Sequence, residues 1–66
     1  MKIYLNGEPR DIPDNTTAAA LVESLGFTGK RVAMEVNMEI VPRSQYTTHR
    51  LQPGDKVEVV QAIGGG

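Results

Sequence analysis

The group in this sequence with the clearest chemical use is the α-carboxylate of Gly66, presented at the end of the run Ile63-Gly64-Gly65-Gly66. With average glycine usage near 7%, three in succession arise by chance with a probability of roughly 0.0003. Glycine has no Cβ, so the run is expected to be flexible and thin enough to enter a narrow cleft. A carboxylate is a poor electrophile, because resonance and charge protect its carbon. An α-carboxyl with a pKa near about 3.5 is nevertheless ionised at neutral pH and able to attack phosphorus. The competing reading is a frayed chain end with no chemical role.

Other side chains offer little that competes with it. His49, the single histidine, lies in a polar stretch without an acid partner and is expected to be exposed and inert. Ser24 falls on the polar side of a helical stripe with no base beside it. Glu8, Asp11 and Asp14 supply oxygens, but not at the dense spacing of a cation-binding loop, so a solvated edge is expected and no metal site. The glycine run is not a phosphate-cradling loop, since no strand-to-helix transition and no Lys-Ser/Thr accompany it. With no cysteine, the chain has no disulfide, thiolate metal site or thiol nucleophile.

Size and charge narrow the class. A chain of 66 residues buries only about 60% of its unfolded surface and holds a core of about a dozen side chains. That favours a carrier, adaptor or binding module over a self-sufficient enzyme. Seven basic and eight acidic residues give a net charge of −1. The basic residues are scattered, and Tyr4, Phe27 and Tyr46 are the only aromatics, so no nucleic-acid surface is expected. No apolar stretch approaches the roughly 20 residues of a membrane span. Met1-Lys2 runs straight into a strand pattern rather than a leader, which makes a cytoplasmic protein the expectation.

The elements that must position the tail follow from periodicity. Lys2-Ile3-Tyr4-Leu5 alternates with Ile3 and Leu5 inward, and Asn6-Gly7 is a hairpin signal leading to an edge strand over Glu8 to Ile12 that contains Pro9. Asn15, Thr16 or Thr17 offers an N-cap for a helix over Ala18 to Leu25, whose Ala18, Leu21, Val22 and Leu25 form one apolar stripe. Gly26 fits the left-handed position after the helix, with Phe27 folding back. Val32 to Val36 reads as a strand with Val32, Met34 and Val36 on one face. Asn37-Met38 turns into Glu39-Ile40-Val41, and Pro42 stops that strand. Arg43 to Arg50 reads as polar loop with one helical turn, and Gln52-Pro53-Gly54-Asp55 as a turn. The last strand is Lys56 to Val60, with Val57 and Val59 inward. One helix on one face of a mixed sheet of about five strands is an α+β roll.

This order and its punctuation resemble the ubiquitin-like β-grasp fold and, more narrowly, the ThiS family of sulfur carriers. The matching pieces are Ile3-Tyr4-Leu5-Asn6-Gly7, Val36-Asn37 leading to Ile40-Val41-Pro42-Arg43, Leu51 with Gly54-Asp55-Lys56-Val57-Glu58-Val59-Val60, and the terminal Ile63-Gly64-Gly65-Gly66. They cover nearly the whole chain. Tyr46 stands where the family often has Trp, one aromatic for another. Gln61-Ala62-Ile63 before the glycines differs from the Pro-containing approach of the related molybdopterin-synthase small subunit.

The resemblance implies residues 1–60 as a β-grasp domain and 61–66 as a flexible tail carrying the reactive carboxylate. It implies that Gly66 attacks the α-phosphate of ATP, used with Mg on a ThiF-type adenylating enzyme. A sulfur donor such as a cysteine desulfurase system then converts the carboxyl-AMP to a thiocarboxylate, and a ThiG-type thiazole synthase receives the sulfur for the thiamine thiazole. This chain would bind no cofactor itself. Gly64 and Gly65 would fit a cleft that side chains would crowd. Ordering such a tail costs about 1–2 kcal/mol per residue, so the body needs a docking patch. Tyr4, Val60 and Ile63, on the sheet face away from the helix, are the candidates. The expected state is a monomer that docks transiently. Molybdopterin delivery and a non-covalent interaction domain with an idle tail are the alternatives.

Overall fold

A computed structural model describes residues 1–27 and 31–61. The elements in chain order are β1 (Lys2–Leu5), β2 (Glu8–Asp11), α1 (Ala18–Ser24), β3 (Val32–Val36), β4 (Glu39–Ile40), the 3-10 turn η1 (Arg43–Gln45) and β5 (Lys56–Gln61). The five strands form one sheet in the order β2-β1-β5-β3-β4. β5 lies in the middle, parallel to β1 and antiparallel to β3. This is the mixed-sheet α+β roll that the alternation and the turn signals predict, in the β-grasp order that the resemblance implies.

The local chemistry explains each boundary. Two-residue loops join β1 to β2 and β3 to β4, with positive φ at Asn6 (51°), Gly7 (85°), Asn37 (52°) and Met38 (70°). Positive φ at both central residues is the type I′ geometry that matches the twist of a hairpin. Of the three candidate caps Thr17 is the one used, its Oγ1 accepting from the Ala20 amide at 3.1 Å. The helix closes one residue earlier than expected, at Ser24. Gly26 (φ 79°) donates to the Glu23 carbonyl and Phe27 donates to that of Val22. That pair of bonds is the Schellman closure, so Leu25 becomes the cap rather than a helical residue.

The core lies between the helix stripe and one sheet face. Ile3, Met34, Val36, Val57 and Val59 from the strands meet Ala18, Leu21 and Val22 from the helix, with Val41, Tyr46 and Leu51 closing the rim. Tyr46 sits in the segment read as polar loop yet is buried. The η1 turn lifts it inward, and its hydroxyl donates to the Val32 carbonyl at 3.4 Å. His49 departs from its expected exposure and is half-buried. Its carbonyl accepts from the Ala18 amide and its amide donates to Gln45, which draws the residue against the start of the helix. Ser24 is exposed, with its hydroxyl donating to the Leu21 carbonyl at 2.8 Å.

The edge strands are shorter than the alternation suggests. β2 ends at Asp11, and β4 stops at Ile40, where Val41 turns in toward the core and its amide donates to Met34. β5 runs one residue past Val60, because Gln61 pairs with Val32 across the sheet. Among the described residues no helix is long and apolar enough to cross a membrane.

Candidate functional site

The strand that leads to the tail is the best-anchored strand of the sheet. On the β1 side, the Asn6 amide donates to the Val57 carbonyl at 2.8 Å. The Asn6 side chain then continues the ladder where the backbone has already turned away. Its Oδ1 accepts from the Val59 amide at 3.0 Å and its Nδ2 donates to the Val59 carbonyl at 3.2 Å. On the β3 side, Asn37 does the equivalent at the start of the strand. Its amide donates to the Lys56 carbonyl at 2.7 Å and its Oδ1 accepts from the Lys56 amide at 3.0 Å. Both asparagines occupy first positions of type I′ turns, so one residue choice supplies the backbone conformation and the clamp.

Asp55 ties the entry of β5 to the same network. Its Oδ1 accepts from Asn37 Nδ2 at 3.0 Å and its Oδ2 from the Gln52 amide at 2.8 Å. Among the described residues it is the buried charged one, and those two donors satisfy it. A carboxylate so placed is tolerated because each oxygen has a partner.

The face of the sheet away from the helix is open. The register puts Tyr4 beside Lys56, Glu58 beside Glu35, Val60 beside Ala33, and Ile40 beside Glu35. Tyr4 and Val60, two candidates from the sequence, are both exposed there, at 41% and 59%. They share the face but lie apart: Tyr4 is beside Lys56, four positions along β5 from Val60, about 13 Å of strand. Tyr4 instead joins Gly7, Met38, Lys56, Val57 and Glu58 around a shallow groove of about 360 Å³. Met38 and Ile40, at 89% and 77% exposure, complete the apolar part of this face and were not singled out from the sequence. The available signals were an apolar residue at a turn position that favours glycine, and an isoleucine out of phase with the inward Val41.

Among the described residues no group of three or more potential metal ligands comes together. Glu8, Asp11 and Asp14 are exposed, and Asp14 pairs with the Met1 amino group at 3.3 Å. Ile63, Gly64, Gly65 and Gly66, expected to enter the partner's cleft, lie outside the described residues. Gln61 is the last described position, and five residues span at most about 18 Å when fully extended.

The ThiS family model matches residues 3–66. The chain is 33% identical over 66 residues to the sulfur carrier protein ThiS of Escherichia coli (strain K12), an alignment that spans all of both chains. It is 46% identical over 66 residues to a thiazole synthase of Paramagnetospirillum magneticum, where those residues are 100% of this chain and 20% of the relative. The chain thus spans about a fifth of that relative's length. Among solved structures, the crystal structure of the thiamine biosynthesis protein ThiS from Geobacter metallireducens superposes with a TM-score of 0.84 at 26% identity, covering 100% of each chain.

Proposed function

This chain belongs to the ThiS family, and from that premise we propose that it carries sulfur for formation of the thiamine thiazole ring on the carboxyl group of Gly66. The observation that carries the reading is the family match itself, which extends through residue 66 and so includes the glycine run as well as the folded body. The thiazole synthase whose sequence contains a segment like this one supports a thiazole synthase as the receiving partner. The same comparisons favour the thiamine branch over molybdopterin delivery.

The proposed sequence balances as two displacements and a disulfide cleavage. The Gly66 carboxylate oxygen bonds to the α-phosphorus of ATP, held with Mg on an adenylating partner, and pyrophosphate leaves. The outer sulfur of a donor persulfide then attacks the acyl carbon and AMP departs, leaving an acyl disulfide. A thiol attacks the donor's sulfur in that disulfide, so the thiocarboxylate leaves and the thiol and the donor's sulfur end as a disulfide. Gly64 and Gly65 present no Cβ to the partner's cleft, while the body rests on the partner through the open face around Tyr4, Met38, Ile40 and Val60. Because β5 is paired to Gln61, reach into the partner comes from the last five residues alone, with Ile63 among them. The chain contributes the acyl group and its presentation; binding of ATP and the chemistry of transfer fall to the partners.

Removal of Gly65 and Gly66 tests this directly. The truncated chain is expected to keep its fold and melting temperature and to lose all sulfur loading. A truncated chain that still supports thiazole formation would overturn the proposal.

A further inference from the structure

Asn6-Gly7 pairs an asparagine with the residue that shields its own backbone nitrogen least, since glycine has no Cβ. Gly7 is exposed, with open space where a Cβ would stand, so solvent reaches the peptide between them. In such a pair the Gly7 nitrogen, after losing its proton to a base in solvent, can bond to the side-chain carbonyl carbon of Asn6. The bond from that carbon to Nδ2 breaks and ammonia leaves, giving a five-membered imide. Water then opens the imide at either carbonyl, producing aspartate at position 6 or its β-linked isomer. One water enters, one ammonia departs, and nothing is oxidised or reduced.

The fold opposes this reaction at one defined place. Both polar atoms of the Asn6 carboxamide are held on Val59, at 3.0 and 3.2 Å. Closing the imide ring requires the carboxamide to leave both partners and turn back toward Gly7. We propose that Asn6 is a hydrolytic deamidation site, silenced by its clamp on β5 and released whenever the β1–β5 pairing opens. Its conversion would loosen the strand that carries the tail. The product carboxylate has no N–H for the Val59 carbonyl and faces that oxygen with a negative charge, so one bond is lost and a repulsion gained. The β-linked product also lengthens the backbone of a two-residue turn, which shifts the hairpin register. Each opening that ends in conversion is therefore irreversible, and the site records how often the tail-bearing strand comes free.

The test needs no partner enzyme, so it stands or falls apart from the carrier reading. The full chain is aged in mildly alkaline buffer, natively and in guanidinium, and deamidation is mapped by peptide mass spectrometry at Asn6, Asn15 and Asn37. The expected result is that Asn6 converts first in the denatured chain and roughly tenfold or more slowly in the native one, because reaction then waits on opening. Native aged protein is next separated by charge, and hydrogen exchange at the Val59 amide is compared with fresh protein and with Asn6→Asp. Faster exchange in both supports the proposal. Equal native and denatured rates at Asn6, earlier conversion at Asn15 or Asn37, or unchanged Val59 protection after conversion would each overturn it.

Discussion

Glu35 and Glu58 stand directly opposite each other on β3 and β5, on the open face of the sheet. Like charges so paired destabilise a sheet by roughly 0.2–1 kcal/mol. Among the described residues the ion pair is Met1 with Asp14, away from this face, so neither glutamate is neutralised by a neighbour at contact distance. Glu35→Lys turns the repulsion into an attraction. It is expected to raise stability by about 0.5 kcal/mol and the melting temperature by about 3 °C. The gain should shrink as salt is added, since both side chains meet solvent. A calorimetric scan showing a lower melting temperature at low salt would contradict this.

Met38 holds a left-handed conformation, φ 70°, at a turn position where glycine is favoured, and leaves 89% of its surface exposed. A side chain there costs about 1–2 kcal/mol, while glycine costs about 0.5–1 kcal/mol in backbone entropy. Met38→Gly is therefore expected to stabilise the domain by about 0.5 kcal/mol. On the docking account it should also weaken association with the adenylating partner. A variant that is more stable and loads with an unchanged KM would remove Met38 from the docking surface.

Val60→Asp and Ile40→Lys place charge on the open face at positions with 59% and 77% exposure, the lysine opposite Glu35 so that no like-charge pair is created. Their melting temperatures are expected to stay close to the parent, with stability changes within about 0.5 kcal/mol. Loading by the partner is expected to fall about tenfold, chiefly through a higher KM for the carrier. Thermal melts and initial-rate kinetics together separate docking from folding.

Asp55→Ala leaves the Gln52 amide and the Asn37 side chain without their partner. Losing a buried charge-assisted acceptor costs about 2 kcal/mol, or about 10 °C in a domain of this size. Chemical denaturation should show a lower midpoint with an unchanged slope. A shift near zero would mean that water replaces the carboxylate without cost.

Much of the fold was legible because it rests on short-range signals. Asn6-Gly7, Thr17 three residues before Ala20, and Gly26 after an apolar stripe each fix a local geometry that tertiary packing only confirms. The departures come from long-range contacts. Tyr46 is buried by a hydroxyl that reaches Val32, His49 is drawn in through backbone bonds to Ala18, and Gln61 joins β5 because Val32 lies opposite. The clamp of Asn6 on Val59 joins residues 53 apart and has no local signature beyond the turn itself. At the site, the face holding Tyr4 and Val60 followed from alternation. Met38 and Ile40 did not, since their exposure depends on where a two-residue strand stops.

Carriage of sulfur on the carboxyl group of Gly66 leaves a change in mass that intact-mass measurement reads without any downstream enzyme. The full chain is incubated with a competent adenylating enzyme, ATP with Mg, and a sulfur donor, and the product is weighed whole and as C-terminal peptides. The expected result is a mass gain equal to exchange of one oxygen for sulfur, located at Gly66 and absent without ATP. An unchanged mass with a partner shown to load another carrier, or a gain located elsewhere in the chain, would contradict it.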